Sequence, residues 1–128
     1  MCRKKFSAYS QAKFSVGSGT DLRDVPDHSI DALWSFDVFV HINATEIDAY
    51  AAEFKRVMTP GAVGVVHHGG VGGAAGGWRS DVTLAIMLEL LRKHGLEIVE
   101  SFSEWQDEGV AYDVSVYKDA ITAFRAPG

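Results

Sequence analysis

Val25–Gly69 reads VPDHSIDALWSFDVFVHINATEIDAYAAEFKRVMTPGAVGVVHHG, and the pattern of this stretch decides the fold. Ala32-Leu33-Trp34 is an unbroken apolar run, as in a strand covered on both faces, and Val63-Gly64-Val65-Val66 reads the same way. Between them Asn43 opens a helix, with Glu46 three residues on as a capping-box partner. Ile47, Tyr50, Ala51, Phe54, Val57 and Met58 fall on one stripe, and Pro60-Gly61 stops the helix. Acidic Glu46 and Asp48 near its start and basic Lys55 and Arg56 near its end suit the helix dipole. Two buried strands joined by a helix make a βαβ unit and a parallel sheet. Ligands of such sheets bind beyond the carboxyl ends of the strands, which here carry Ser35-Phe36-Asp37, His41 and His67-His68.

Upstream, Met1–Tyr9 reads as the last turns of a helix and Lys13–Val16 as a short strand. Gly17-Ser18-Gly19-Thr20 is a turn, followed by a polar loop over Asp21–Ser29. Downstream, GGVGGAAGG at Gly69–Gly77 holds six glycines in nine residues, the composition of a mobile flap. Ser80 is positioned to cap a second helix that runs to His94 and stops at Gly95. Its Leu84, Ile86, Met87, Leu88, Leu90 and Leu91 cover more than one face, which predicts a largely buried helix. Leu96–Phe102 and the alternating Val110–Tyr117 form a predicted antiparallel hairpin through Ser103–Gly109. Asp119–Gly128 is weakly patterned and receives no role. With no repeat or linker, residues 1–128 form a single domain.

The net charge of -5 and the lack of a basic stripe beyond Arg3-Lys4-Lys5 argue against nucleic acid. No apolar run is long enough for a membrane span, and Arg3-Lys4-Lys5 does not lead into a signal peptide. The single cysteine, Cys2, precludes an intrachain disulfide and suits a reducing, cytoplasmic setting.

SIDALWSFDVFVHI, followed by E-x-x-R-V-M-T-P-G-A and VVHH, resembles the middle of a class I S-adenosylmethionine-dependent methyltransferase. In that family an Asp opens the fourth strand, a Ser or Asn closes it beside the cofactor, and the next helix ends close to RVLKPGG. Asp31, Ser35 and Arg56-Val57-Met58-Thr59-Pro60-Gly61 occupy those places, with Ala62 where a second Gly is usual. The resemblance implies an α/β fold: a Rossmann-like, mainly parallel sheet with an antiparallel C-terminal hairpin. It also implies a Gly-rich turn and a ribose-binding acid that do not occur upstream of Val16, so the chain reads as the carboxyl part of the domain, lacking about two strands at its N-terminus. The implied cofactor is S-adenosyl-L-methionine and the implied acceptor a small molecule. The expected partner is a second copy or a complementing N-terminal half.

The implied cofactor-binding residues are Ser18 and Gly19, facing the adenine, and Ser35, Phe36 and Asp37, lining the methionine part and the sulfonium. A ring face and a carboxylate both stabilise a cation. His41 is the candidate catalytic residue, a base for the leaving proton, because imidazole titrates near neutrality. Each also has a plain structural reading: a surface turn at Ser18-Gly19, core packing for Phe36, a turn cap for Asp37 and a backbone-bonded imidazole for His41. Trp78-Arg79 could close over a substrate or simply pack on the surface. Two rival functions stand beside methyl transfer. One is a non-catalytic remnant or partner subunit. The other is a metal-assisted hydrolase built on Asp37, His41, His67 and His68, although no spacing matches a zinc signature and no metal is expected.

Overall fold

The computed structural model describes residues 21–70 and 80–128. The sequence candidates at Lys13–Val16, Ser18, Gly19, Trp78-Arg79 and most of the glycine run lie outside the described residues. Within them the chain is α/β. β1 (Ile30–Phe39), α1 (Ala44–Val57) and β2 (Met58–Gly69) are followed by α2 (Leu84–Lys93) and β3 (Glu97–Phe102). A ribbon of β4 (Glu104–Asp107) and β5 (Val110–Asp113), a 3-10 turn at Ser115–Tyr117 and β6 (Asp119–Arg125) complete it.

The sheet runs β1-β2-β6-β3, with β1 and β2 parallel and β6 antiparallel to both its neighbours. A central sheet with antiparallel strands at its C-terminal side is the Rossmann-like arrangement the sequence predicts, but the pairing partners differ in detail. β3 pairs with β6, so the strand inserted between β2 and β3 is the tail that sequence patterning left without a role. Val110–Asp113 pairs instead with Glu104–Asp107, in a separate two-stranded ribbon. The physical reason is burial: Ala120, Ile121, Thr122 and Phe124 are all buried in a central strand, so no alternation marks it.

Both helices pack on one face of the sheet. Phe54, Ile47, Ala51 and Val57 of α1 and Met87 and Leu91 of α2 join Val66 of β2 and Phe124 of β6 in a single core. Phe124 stacks on Phe54 at 5.7 Å between centroids. Gly64 lies opposite Phe124, and a Cβ there would sit 2.4 Å from the ring, so only glycine admits the phenyl group. The opposite face is more open than expected: Trp34, predicted to be covered on both sides, is 73% exposed.

The helix ends also depart from the sequence reading. Asn43 makes no side-chain cap to its own helix. Its Oδ1 accepts from the Asp81 amide (3.1 Å), and Asp81 Oδ1 accepts from the Ala44 amide (2.8 Å). This reciprocal pair ties α1 to the segment before α2. α2 is capped by Thr83, whose side chain accepts from the Ile86 amide. Ser80 instead donates to the Ile42 carbonyl (2.6 Å). Gly95, at φ 81, ends α2 as predicted, with the Leu96 amide donating back to Leu91. Of the α2 side chains only Met87 and Leu91 are fully buried, a narrower stripe than expected.

The R-V-M-T-P-G phrase has a local purpose. Arg56 donates to the carbonyls of Leu22 and Val25 and to the carboxylates of Asp27 and Glu53, while Glu53 accepts from the Leu22 amide. The guanidinium thus lashes the polar loop before β1 onto α1, and Thr59 joins the strand starts through Asp31 (2.9 Å).

Candidate functional site

The carboxyl end of β1 turns a corner at Asp37, which holds a positive φ of 60. Asp is among the few residues that adopt this left-handed conformation readily, but it still needs support. His67, on the neighbouring β2, supplies it: its Nδ1 accepts from the Asp37 amide at 3.0 Å. That bond fixes the tautomer, so Nε2 carries the proton and donates to Asp119 Oδ2 at 3.0 Å. The Phe36 ring stacks on the imidazole at 4.4 Å. Three strands therefore meet in one chain of contacts from Asp119 through His67 to the Phe36-Asp37 corner.

Phe36 and His67 face a cleft of about 840 Å³ between the sheet face and the β4–β5 ribbon. Trp34, Phe36 and His67 line its sheet side, and Trp105, Tyr112 and Asp113 line its ribbon side. Hydrogen bonds from the Ser115 side chain and backbone hold the Asp113 carboxyl below its usual range. No Lys or Arg lines the cleft among the described residues.

His68 points the other way, as alternation along a strand requires. It is fully buried on the helix side, its Nδ1 donating to the Gly69 carbonyl and its Nε2 accepting from Thr122, both at 2.7 Å. Thr122 in turn bonds Ser101 at 3.0 Å. Burial pushes the imidazole down to about 4, so it is neutral in the fold. With His67 and His68 on opposite faces and all four ring nitrogens engaged, they make no shared ligand pair. Among the described residues no group of three or more His, Cys, Asp or Glu side chains converges as a metal site would.

Ser35 and Phe36 thus line the cleft, whereas Asp37, next to them in β1 and exposed, does not. His41 does not line it; it is exposed in the turn after β1, with its amide bonded to the Val38 carbonyl. Ser18 and Gly19 lie outside the described residues. Sequence reasoning missed Asp119, because nothing in the tail patterns it as functional, and missed the ribbon as a cleft wall, because its hairpin register was assigned differently.

A family model described as a methyltransferase domain matches residues 1–66, which include β1, α1 and most of β2. The chain belongs to the methyltransferase domain family. Class I members of this family use S-adenosylmethionine as cofactor. No curated protein sequence matches the chain. Among solved structures it is similar to the [4+2]-cyclase SpnF, at 20% identity over 98% of this chain and 60% of that one, with a TM-score of 0.67. It is likewise similar to a chain in the complex of the Haloferax volcanii Trm112 methyltransferase activator, at 20% identity over 98% and 67%, TM-score 0.68. A SAM-dependent methyltransferase from Methanosarcina mazei aligns at 15% identity over 91% and 68%, TM-score 0.68. These likenesses concern the methyltransferase fold. The chain spans 60% to 68% of the length of these three structures. Among the described residues, no helix of this methyltransferase-family chain is long and apolar enough to cross a membrane.

Proposed function

We propose that this chain carries part of the S-adenosylmethionine site of a methyltransferase that acts on a small molecule. The observation that carries the reading is the Phe36-Asp37 corner near the end of β1, braced by His67, where Ser35 and Phe36 line the cleft and Asp37 stands just outside its lining. The bound cofactor would supply an activated methyl group on a sulfonium cation. The described residues fit such a group: an aromatic face, an exposed carboxylate and no neighbouring cation to repel it. Ser35, Phe36 and Asp37 would hold it, with Ser18 and Gly19 as further contacts. Small-molecule methyl transfer needs alignment of the acceptor and a path for its proton, and His41 is proposed as the base. His41→Ala would then lower turnover by ~10²-fold or more with cofactor affinity little changed.

A second reading is a non-catalytic or partner subunit of a methyltransferase, with the fold but without turnover of its own. The fold itself does not choose, since a cyclase shares it. The Trm112 complex supports a partner protein as one route to a complete methyltransferase.

The test is an amide NMR titration of the chain with S-adenosylmethionine, which registers weak binding as well as strong. Shifts centred on Ser35, Phe36 and Asp37 are expected. No shift at millimolar cofactor, or shifts confined to other strands, would remove the site.

A further inference from the structure

The β4–β5 ribbon does more than decorate the sheet edge. It stands over the carboxyl end of β2 and the start of β6, and its Trp105 reaches back to the Phe36 ring (6.3 Å, edge-on) and to Phe102 (6.4 Å, edge-on). On its other side Trp105 stacks on Tyr112 at 5.3 Å. With Phe36 on His67, the cleft has π-faces on both its sheet and its ribbon walls. Its volume of about 840 Å³ lies in the range of small-molecule sites, roughly 300–1,000 Å³.

The charges select further. Asp113, whose carboxylate accepts from the Ser115 amide, lines the cleft, and His67 is backed by the Asp119 carboxylate. No Lys or Arg among the described residues offsets them. An anionic ligand would meet repulsion without a partner, whereas a neutral or cationic one meets ring faces.

We propose that this cleft takes a flat aromatic molecule without negative charge, as the acceptor of the methyl group. The role of acceptor rests on the methyl-transfer reading; the class of ligand rests on the cleft alone. Flatness follows from the sheet wall, where the exposed Trp34 and the Phe36 ring lie within 8° of parallel and offer a surface for offset stacking that a puckered ring cannot match.

Three probes of one ring system separate these features in the unaltered chain, without cofactor: 2-naphthol, 2-naphthoate and decahydro-2-naphthol. NMR of the Trp105 indole N–H follows binding, assigned with Trp105→Phe. Saturable binding of 2-naphthol is expected, with both other probes at least about ten-fold weaker. Tyr112→Leu should weaken 2-naphthol by a similar factor while leaving the rest of the spectrum in place. Equal or tighter binding of the naphthoate or of the saturated alcohol overturns the proposal, as does no binding of 2-naphthol at millimolar concentration. A Trp105 signal that moves with protein concentration and not with 2-naphthol would mean that a second copy covers the cleft, and also overturns it. Because cofactor is omitted, loss of the methyltransferase reading leaves this outcome unaffected.

Discussion

His67 Nε2 and Asp119 Oδ2 are 3.0 Å apart and nearly wholly buried, although 52 positions separate the two residues in the chain. The bond fastens the first residue of β6 to the end of β2 and, through Nδ1, sets the corner at Asp37. Asp119→Ala should leave a buried N–H without this acceptor and destabilise the fold by about 1–3 kcal/mol. Asp119→Asn, which retains a carbonyl acceptor, should lose clearly less. Urea unfolding of the three proteins decides it, and equal losses for both variants would show that the hydrogen bond is not what matters.

His68 makes stability depend on pH. The folded fold holds its pKa at about 4, against 6.5 for the free side chain. The unfolded chain therefore takes up a proton below 6.5 that the folded one refuses. The contribution is complete above that value, falls as pH drops through the window, and is gone near 4. The shift corresponds to something on the order of 3 kcal/mol. Urea midpoints across this range should fall steeply for the native sequence and more gently for His68→Gln. Parallel slopes would place the pH dependence elsewhere.

Gly64→Ala should destabilise the protein despite the better strand propensity of alanine. Its Cβ would meet Phe124 Cζ at 2.4 Å and Cε2 at 2.6 Å, and the ring is held against Phe54. Overpacking of this sort costs about 1–3 kcal/mol. Phe124→Leu added to Gly64→Ala should recover part of the loss, a coupling that a double-mutant cycle measures directly. Strict additivity would mean that the clash is relieved by backbone movement.

By itself the 128-residue chain should bind S-adenosylmethionine weakly and tend to self-associate. Before β1 the sequence has no G-x-G-x-G turn of the kind the family uses against the cofactor, and losing two charge-assisted contacts weakens binding by roughly 10² to 10⁴. Among the described residues β1 has a single strand neighbour, β2, and an edge that no other segment of the chain covers would pair with another chain. Calorimetry on a sample shown to be monomeric by sedimentation tests both statements. Micromolar affinity in a monomer would show that the missing contacts are supplied from within the chain.

The βαβ unit from Ile30 to Gly69 was legible because its signals are local, apolar runs and an amphipathic stripe, although the helix ends at Val57 and the Pro60-Gly61 pair expected to stop it lies within β2. The positive-φ end of α2 at Gly95 was legible for the same reason, since glycine tolerates that backbone wherever it occurs. The family resemblance lay in the same stretch. Tertiary structure alone decided the rest. Asp119–Arg125 became the strand between β2 and β3 because a fully covered strand carries no alternation to read. Asp81 capped α1 in place of its own Asn43 side chain because the two segments meet only in the folded chain. His67 acquired its tautomer from an amide thirty residues upstream and a carboxylate further downstream, and the cleft acquired its aromatic wall from a ribbon that folds back over the sheet. Sequence determined where the chain would be helix or strand wherever neighbours in the chain supply the energy. Residues whose partners lie far along the chain took their roles only when the fold brought those partners within hydrogen-bond reach.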